Sequence, residues 1–471
     1  MKNFILFFVF AFFVQVFAQN NVTLLSHLNQ YASAGYNDIW GYADGSGNEY
    51  ALLGVQTGTS IVNVTNPSNP VEIAFIPGTN SIWRDIKTWG TYAYVVSDNT
   101  NDGLQIIDLS QLPTSATLVN QTTAFFNRAH NIYIDNGYAY AIGTESGGGM
   151  HILDLSNPTN PTQTDYYTSS GYIHDVYVWN DTVVVCDGSS QIYQLINVTN
   201  KTNPQVISSS ASLPGIYAHS GWMSVDKRYF FAMEEFNVRD MTVWDLQDRT
   251  SWDLIVSSWQ MPTGSSIIHN CFVRGNFLHI SYYTSGYVVL DISNPSNPQV
   301  AGQYDTYPAN NGGSYSGAWG CYPYLPSGNT LISDIETGLY VLHFDGEVPV
   351  ELSSFSATTS GNTVILNWET ATETNNQGFE IQRKSDNEFY TIGFINGAGT
   401  TTERNRYTYA DKNLENGNYE YRLKQVDFDG SYHYSDVTNV EVNNLSSYEL
   451  KQNYPNPFNP STNIKFKLPS S

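Results

Sequence analysis

Short apolar runs alternate with polar turns along the chain, and one run-and-turn phrase recurs. It reads SIVNVTNPSNP from Ser60, GLQIIDLSQLP from Gly103, GMHILDLSNPTNP from Gly149, YQLINVTNKTNP from Tyr193, MTVWDLQDRT from Met241 and YVVLDISNPSNP from Tyr287. A shortened copy, GLYVLHFDG, begins at Gly338. The polar residue closing each run is Asn63, Asp108, Asp154, Asn197, Asp245, Asp291 and, in the last copy, His343, at steps of 45, 46, 43, 48, 46 and 52 residues.

The first copy divides into four strands, at 38–43, 49–56, 59–64 and 71–77. Asp44-Gly45-Ser46-Gly47-Asn48 and Thr57-Gly58 are the turns between them. Pro67 and Pro70 separate the last two strands, because proline cannot join a ladder. No amphipathic helical period is visible, which excludes a helical solenoid. Four short strands repeating every ~40–50 residues are the spacing of a β-propeller. The expected fold is all-β, a seven-bladed propeller over residues 22–346. The seventh copy lacks an outer strand, and Val22–Leu28 reads like one, so the N-terminal strand is expected to close the last blade and remove an open edge.

After Asp345 the pattern changes. Glu347–Glu351 reads as a linker passing into a strand. Thr363–Trp368, Gly378–Lys384, Tyr390–Ile395, Arg406–Ala410, Gly417–Asp427 and Tyr434–Val442 then read as strands of a β-sandwich over 349–443. At the start, Lys2, the apolar run Phe4–Phe13 and Val16-Phe17-Ala18 form a secretory signal over 1–18, cut before Gln19. No later run reaches the ~18 apolar residues of a membrane span.

Composition narrows the partners. The chain has 43 Asp and Glu against 20 Lys and Arg, a formal charge of −23, which repels phosphate backbones and argues against nucleic acid. Its 34 Tyr separate it from acidic disordered chains and suit half-buried sheets. Cys186, Cys271 and Cys321 are expected to be buried free thiols, since matching positions of neighbouring repeats lie beyond the ~7 Å reach of a disulfide.

The phrases GLQIIDLS, MHILDLSNPTNP and YVVLDISNPSNP resemble the LVIVD repeat, and residues 22–346 resemble the choice-of-anchor B family of exported bacterial proteins. That resemblance implies a propeller and brings no catalytic residues. Trp368, Phe379–Arg383 and Tyr419–Leu423 look like a fibronectin type III domain, implying a spacer or contact module whose Trp and Tyr are core. The segment Asn453-Tyr454-Pro455-Asn456-Pro457-Phe458-Asn459-Pro460, within 448–471, is similar to the opening of the type IX secretion sorting domain. It implies that the type IX machinery is a partner and that the protein ends outside the cell or on the outer-membrane surface.

Candidate chemistry lies at the starts of the innermost strands. These carry Arg84, His130, His174, His219, His269 and Trp319, with Asn37 in the remaining copy. Asp98, Glu145, Asp187 and Glu234 stand where the antiparallel second strand ends. Pairing within each blade is expected: Arg84 with Asp98, His130 with Glu145, His174 with Asp187 and His219 with Glu234. Such a ring has two readings. It locks each blade through buried hydrogen bonds, or it forms a ligand or divalent-metal site at one mouth of the channel, with the His as ligands. A carboxylate neighbour is expected to raise each His pKa. No nucleophile elbow, P-loop or His-Glu-x-x-His is present. The first functional expectation is therefore an exported binding or adhesion protein for a protein, glycan or small molecule. The alternative is a secreted metal-assisted hydrolase or lyase using the same ring.

Overall fold

The Asn or Asp that closes each of the first six repeat phrases has a definite structural role in the computed structural model of the chain. Its side-chain oxygen accepts a backbone N–H two residues on: Asn63 from Thr65 at 2.9 Å, Asp108 from Ser110 at 2.8 Å, Asp154 from Ser156 at 2.7 Å. Asn197, Asp245 and Asp291 do the same with Thr199, Gln247 and Ser293. This Asx turn ends the strand. It also drives the intervening residue (Val64, Leu109, Leu155, Val198, Leu246 and Ile292) into the core, where each is buried.

The structure describes residues 21–98, 101–145, 147–168, 171–236, 239–262, 264–346, 352–370, 373–385, 388–401, 404–427, 432–442 and 449–467. The secretory signal expected over 1–18 lies outside them. Among the described residues all regular structure is strand, and no helix is long and apolar enough to cross a membrane.

Seven four-stranded antiparallel sheets occupy residues 22–344. Their inner strands are Tyr36–Ala43, Arg84–Trp89, Asn131–Asp135, Asp175–Trp179, Ser220–Met223, Asn270–Arg274 and Ala318–Tyr322. The first six sheets run inner to outer in chain order, and Val22–Leu28 is the outer strand of the seventh, paired with Gly338–Phe344. In every sheet the register between third and outer strands slips, once in six of them, as between Ile61 and Val62 or Ile152 and Leu153, and twice in the fifth. A bulge repeated at one place bends each outer strand and strengthens its twist.

The sheets close into a ring. Each inner strand touches the next, and the seventh touches the first. Seven apolar clusters fill the seven junctions between neighbouring sheets. Middle strands are largely buried, Glu49–Val55 throughout, while outer strands such as Thr117–Thr122 face water. Cys186, Cys271 and Cys321 are buried free thiols.

Residues 352–442 form a three-stranded and a five-stranded sheet, with Thr438–Val442 added beside Gly417–Asp427. Val364, Leu366 and Trp368 of one sheet meet Phe379, Ile381, Tyr421 and Leu423 of the other in a common core. The single strand expected over Tyr434–Val442 is two, Tyr432–Tyr434 and Thr438–Val442. Ser435 causes the break: its hydroxyl accepts the Leu423 N–H and donates to the Asp436 carbonyl.

Candidate functional site

Repetition places one residue from each sheet around a common axis. His130, His174, His219 and His269 each donate their backbone N–H to the second strand of their own sheet, to Ile142, Cys186, Met233 and Ser281. They therefore occupy one equivalent position on four consecutive sheets. Their rings step round the axis in contact, with centroids 4.2 Å apart from His130 to His174, 4.3 Å to His219 and 4.8 Å to His269. Trp319 continues the series 5.4 Å from His269.

Above these rings lies a cavity of about 850 Å³. Trp83, Tyr172, Tyr217, Tyr283, Tyr315 and Trp319 contribute aromatic walls, and the four His, Asp98 and Glu235 contribute the polar atoms discussed below. Beneath, the axis narrows to two spaces of about 30 Å³ each, bordered by Asp38, Asn131, Asp175 and Asn270. That is room for roughly one water apiece. On the far side Trp222 packs against Phe272 at 4.7 Å and Trp40 against Tyr322 at 4.8 Å. The cavity is thus blind to anything larger than water.

Each His is oriented through Nδ1. His130 donates to Asp98 at 2.8 Å, His174 to the His219 carbonyl at 3.0 Å and His269 to the Trp319 carbonyl at 2.7 Å. Ser220 Oγ–H donates to the His269 carbonyl, so its lone pairs receive His219 Nδ1–H at 3.0 Å. Carbonyls and carboxylates only accept. The proton is therefore on Nδ1 in these rings, and in His174, His219 and His269, which burial keeps neutral, Nε2 is left as a lone pair.

At His174, His219 and His269 the expected upward pKa shift is reversed. Burial, followed by repulsion from neighbouring imidazoles, holds His174 well below its usual range and His219 and His269 down at about 3. Desolvation outweighs attraction because these rings are shut in with one another.

The expected pairings within blades do not form. Arg84 is 2% exposed and turns back between the first two sheets, donating to the Thr79 carbonyl at 2.7 Å, with Asp102 at 3.9 Å. Asp98 instead serves His130 of the next sheet, because neighbouring inner strands meet shoulder to shoulder. Glu145 lies three residues beyond Ile142, off the ladder, and accepts the Asn127 and Arg128 backbone N–H groups. Asp187 is fully buried against the loop of Gly171 and Ser190. Glu234 is fully buried too, accepts Thr242 Oγ1–H at 2.6 Å, and is pushed up to about 8 by burial. Of the ten candidates, Asp98, the four His and Trp319 line the cavity, whereas Arg84, Glu145, Asp187 and Glu234 do not.

The acid that reaches the cavity at the fifth sheet is Glu235. The register slips between Met233 and Phe236, and Glu235 has φ 47°, so this bulge turns Glu234 inward and Glu235 to the axis. Glu235 Oε1 accepts Tyr283 Oη–H at 2.7 Å, and Oε2 lies 3.4 Å from His219 Nε2. Tyr283 also has a positive φ, of 22°. Two contacting residues in strained conformations are a pattern of functional sites. Sequence reasoning set Glu234 at this position in place of its neighbour Glu235, and missed Trp83, Tyr172 and Tyr217. The spacing Tyr172-x-His174 and Tyr217-x-His219 was the available signal for the two tyrosines.

Comparison with known proteins gives the repeat. Three stretches, 83–123, 128–169 and 269–306, match the LVIVD repeat. They fall on the second, third and sixth sheets, and the fold is β-propeller-like. No curated protein matches the chain. Among solved structures, a candidate 6-phosphogluconolactonase from Bacteroides fragilis is 10% identical, with 75% of this chain and 94% of that one covered and a TM-score of 0.48. A Lactobacillus plantarum protein is 12% identical, covering 74% and 95%, with a TM-score of 0.46. The extracellular domain of a candidate one-component system from B. thetaiotaomicron is 13% identical, covering 90% and 59%, with a TM-score of 0.47.

Proposed function

We propose that the chain is an exported binding protein whose seven-bladed β-propeller, residues 22–346, takes a ligand into the axial cavity. A fibronectin type III-like module over 349–443 serves as spacer. The 448–471 segment directs type IX secretion to the cell surface or the medium. The observation that carries the reading is the blind cavity of about 850 Å³ with aromatic walls and convergent polar atoms. Ligand pockets are commonly concave, largely apolar spaces of ~300–1,000 Å³ with a few placed polar groups.

Flat aromatic faces that reach solvent, with Trp83 39% and Tyr315 56% exposed, suit the apolar face of a sugar ring. The ligand class proposed is therefore a glycan end or a small molecule of like shape. The test is a glycan-array screen of purified protein followed by calorimetry. A hit weakened at least tenfold by Trp319→Ala, with the melting temperature held within a few degrees, supports the reading. No hit, or one indifferent to Trp319→Ala and Tyr217→Ala, overturns it. The convergence of His174, His219 and Glu235 favours a second reading, a metal-assisted hydrolase or lyase, and chain cleavage of a hit glycan distinguishes it from simple binding.

A further inference from the structure

The middle of the histidine floor presents lone pairs at His174 and His219. All four Nδ1 atoms are committed as donors to Asp98, two carbonyls and Ser220 Oγ. In His174 and His219, kept neutral by burial, the Nε2 atoms are thereby acceptors. At one point this makes an unfavourable pair: His219 Nε2 stands 3.4 Å from Glu235 Oε2, two acceptors facing each other with His219 2% exposed. Glu235 Oε1 is held by Tyr283, which fixes the carboxylate with Oε2 towards the imidazole. His174, in ring contact with His219, brings a third lone pair, and ligand atoms of His174, His219 and Glu235 lie within 4.8 Å of one another.

We infer that His174, His219 and Glu235 bind a divalent transition-metal ion of the zinc class at the cavity floor. Two acceptors in contact are stabilised by a cation between them. Two ligands at about 2.0–2.1 Å from a tetrahedral ion lie roughly 3.3 Å apart, which is the spacing His219 and Glu235 already have. The outer contacts fit as well. Metal-bound imidazoles characteristically donate their other N–H to a carbonyl or carboxylate, which fixes tautomer and ring plane. Here His174 donates to a carbonyl, His219 to Ser220, and the Glu235 carboxylate accepts Tyr283 Oη–H. Two imidazoles and a carboxylate favour zinc-like ions over calcium or magnesium, which prefer all-oxygen shells. Three protein ligands leave a fourth position facing the cavity, open to water or to a ligand hydroxyl. The site shares its cavity with the binding reading above but stands on different atoms.

The experiment uses the full purified protein, stripped with a chelator and titrated with Zn²⁺ by calorimetry and with Co²⁺ by visible absorption. One ion per chain is expected, with Co²⁺ showing d–d bands of four- or five-coordinate geometry. Glu235→Gln and His219→Ala should each weaken binding by ten- to a hundredfold. His269→Ala, one ring further round, should keep the stoichiometry. Circular dichroism checks that each variant is folded, and Glu235→Gln keeps size and shape should His219→Ala fail to fold. Absence of saturable binding, or binding unchanged in His174→Ala and Glu235→Gln, overturns the inference. Glycan binding by metal-free protein with no metal uptake sinks this site and leaves the cavity reading standing. Metal uptake with no organic ligand does the reverse.

Discussion

Lys87 is a buried cation under the histidine floor, and its removal is a sharp test of how the axis is held. It is 7% exposed, with Nζ 2.6 Å from Asp85, 3.7 Å from Asp38 and 4.5 Å from the centre of the Trp40 ring. Asp175 lies near enough to act on it, and Asn131 Nδ2–H donates to Asp175 at 2.9 Å. At 2.6 Å and an effective dielectric near 20, the attraction to Asp85 is about 6 kcal/mol, against several kcal/mol for desolvating the ammonium. The net worth of the pair is therefore small. Breaking it is not, because Lys87→Met leaves carboxyls without their cation at an expected loss of about 3–5 kcal/mol. Methionine keeps the stem over Trp40, so packing contributes little of that loss.

The loss should depend on pH. Burial, then Asp85, holds Asp38 well above the carboxylate range, and burial holds Asp175 at about 7 even with Lys87 present. An acid whose folded pKa is raised loses its stabilising contribution as pH rises through that value. Without Lys87 these values rise further, so the deficit against wild type should grow from pH 5 to pH 8. Urea midpoints followed by tryptophan fluorescence measure it, and Lys87→Met with Asp85→Asn should recover most of the loss. A deficit under about 1 kcal/mol, or one equal at pH 5 and pH 8, refutes the reasoning.

Glu234→Gln tests the acid turned inward at the fifth sheet. Its folded value of about 8 lies above its unfolded one, so wild-type stability falls as pH rises between them, and the variant should gain on wild type by up to about 1.4 kcal/mol per pH unit between pH 4.5 and 8 in metal-free urea titrations. Gly320→Ala should destabilise by about 1–3 kcal/mol in thermal melts, because its Cβ would stand 2.5 Å from Asp38 Oδ1 and 2.9 Å from the Ile39 backbone nitrogen. Deleting residues up to Leu28 removes the strand paired with Gly338–Phe344 and the buried Val22, and should lower stability by at least about 2 kcal/mol and produce oligomers by light scattering. Thiol reagent should label none of Cys186, Cys271 and Cys321 in the native protein and all three in urea, since all are buried and burial raises each thiol.

The strands were legible because their signals are local. The closing Asn or Asp makes a turn to a backbone N–H only two residues away, so the phrase survives as spelling. Val22–Leu28 could be assigned as an outer strand because it resembles the others in pattern. The equivalence of His130, His174, His219 and His269 was legible for the same reason, since each is the first backbone pair of one hairpin. Side-chain partners were not. Asp98 reaches His130 across a sheet boundary, 32 residues along the chain, and no hairpin rule spans that gap. The choice of Glu235 over Glu234 turns on a bulge at Met233–Phe236 whose signal is two adjacent acids and nothing more. The direction of the pKa shift at His174, His219 and His269 was not legible, because counting carboxylate neighbours leaves out burial, the largest cause.

What sets the chemistry at this axis is departure from the repeat. Seven equivalent positions filled alike would give a symmetric ring, with each residue satisfied by the same neighbour. Here four carry imidazole, and the other three carry Asn37, Arg84 and Trp319. Arg84 withdraws between sheets, and Asn37 donates to the Ile82 carbonyl at 2.8 Å. The polar floor is thereby confined to one arc, from Asp98 through the four imidazoles. Trp83 and Trp319 stand on either side of the withdrawn arc. Glu235 then singles out His219 and His174 within that arc, because the bulge that aims it occurs in the fifth sheet alone among the described second strands. A ring of equal positions thus becomes a cavity with one imidazole-lined side, one aromatic side and one place where three ligand atoms converge.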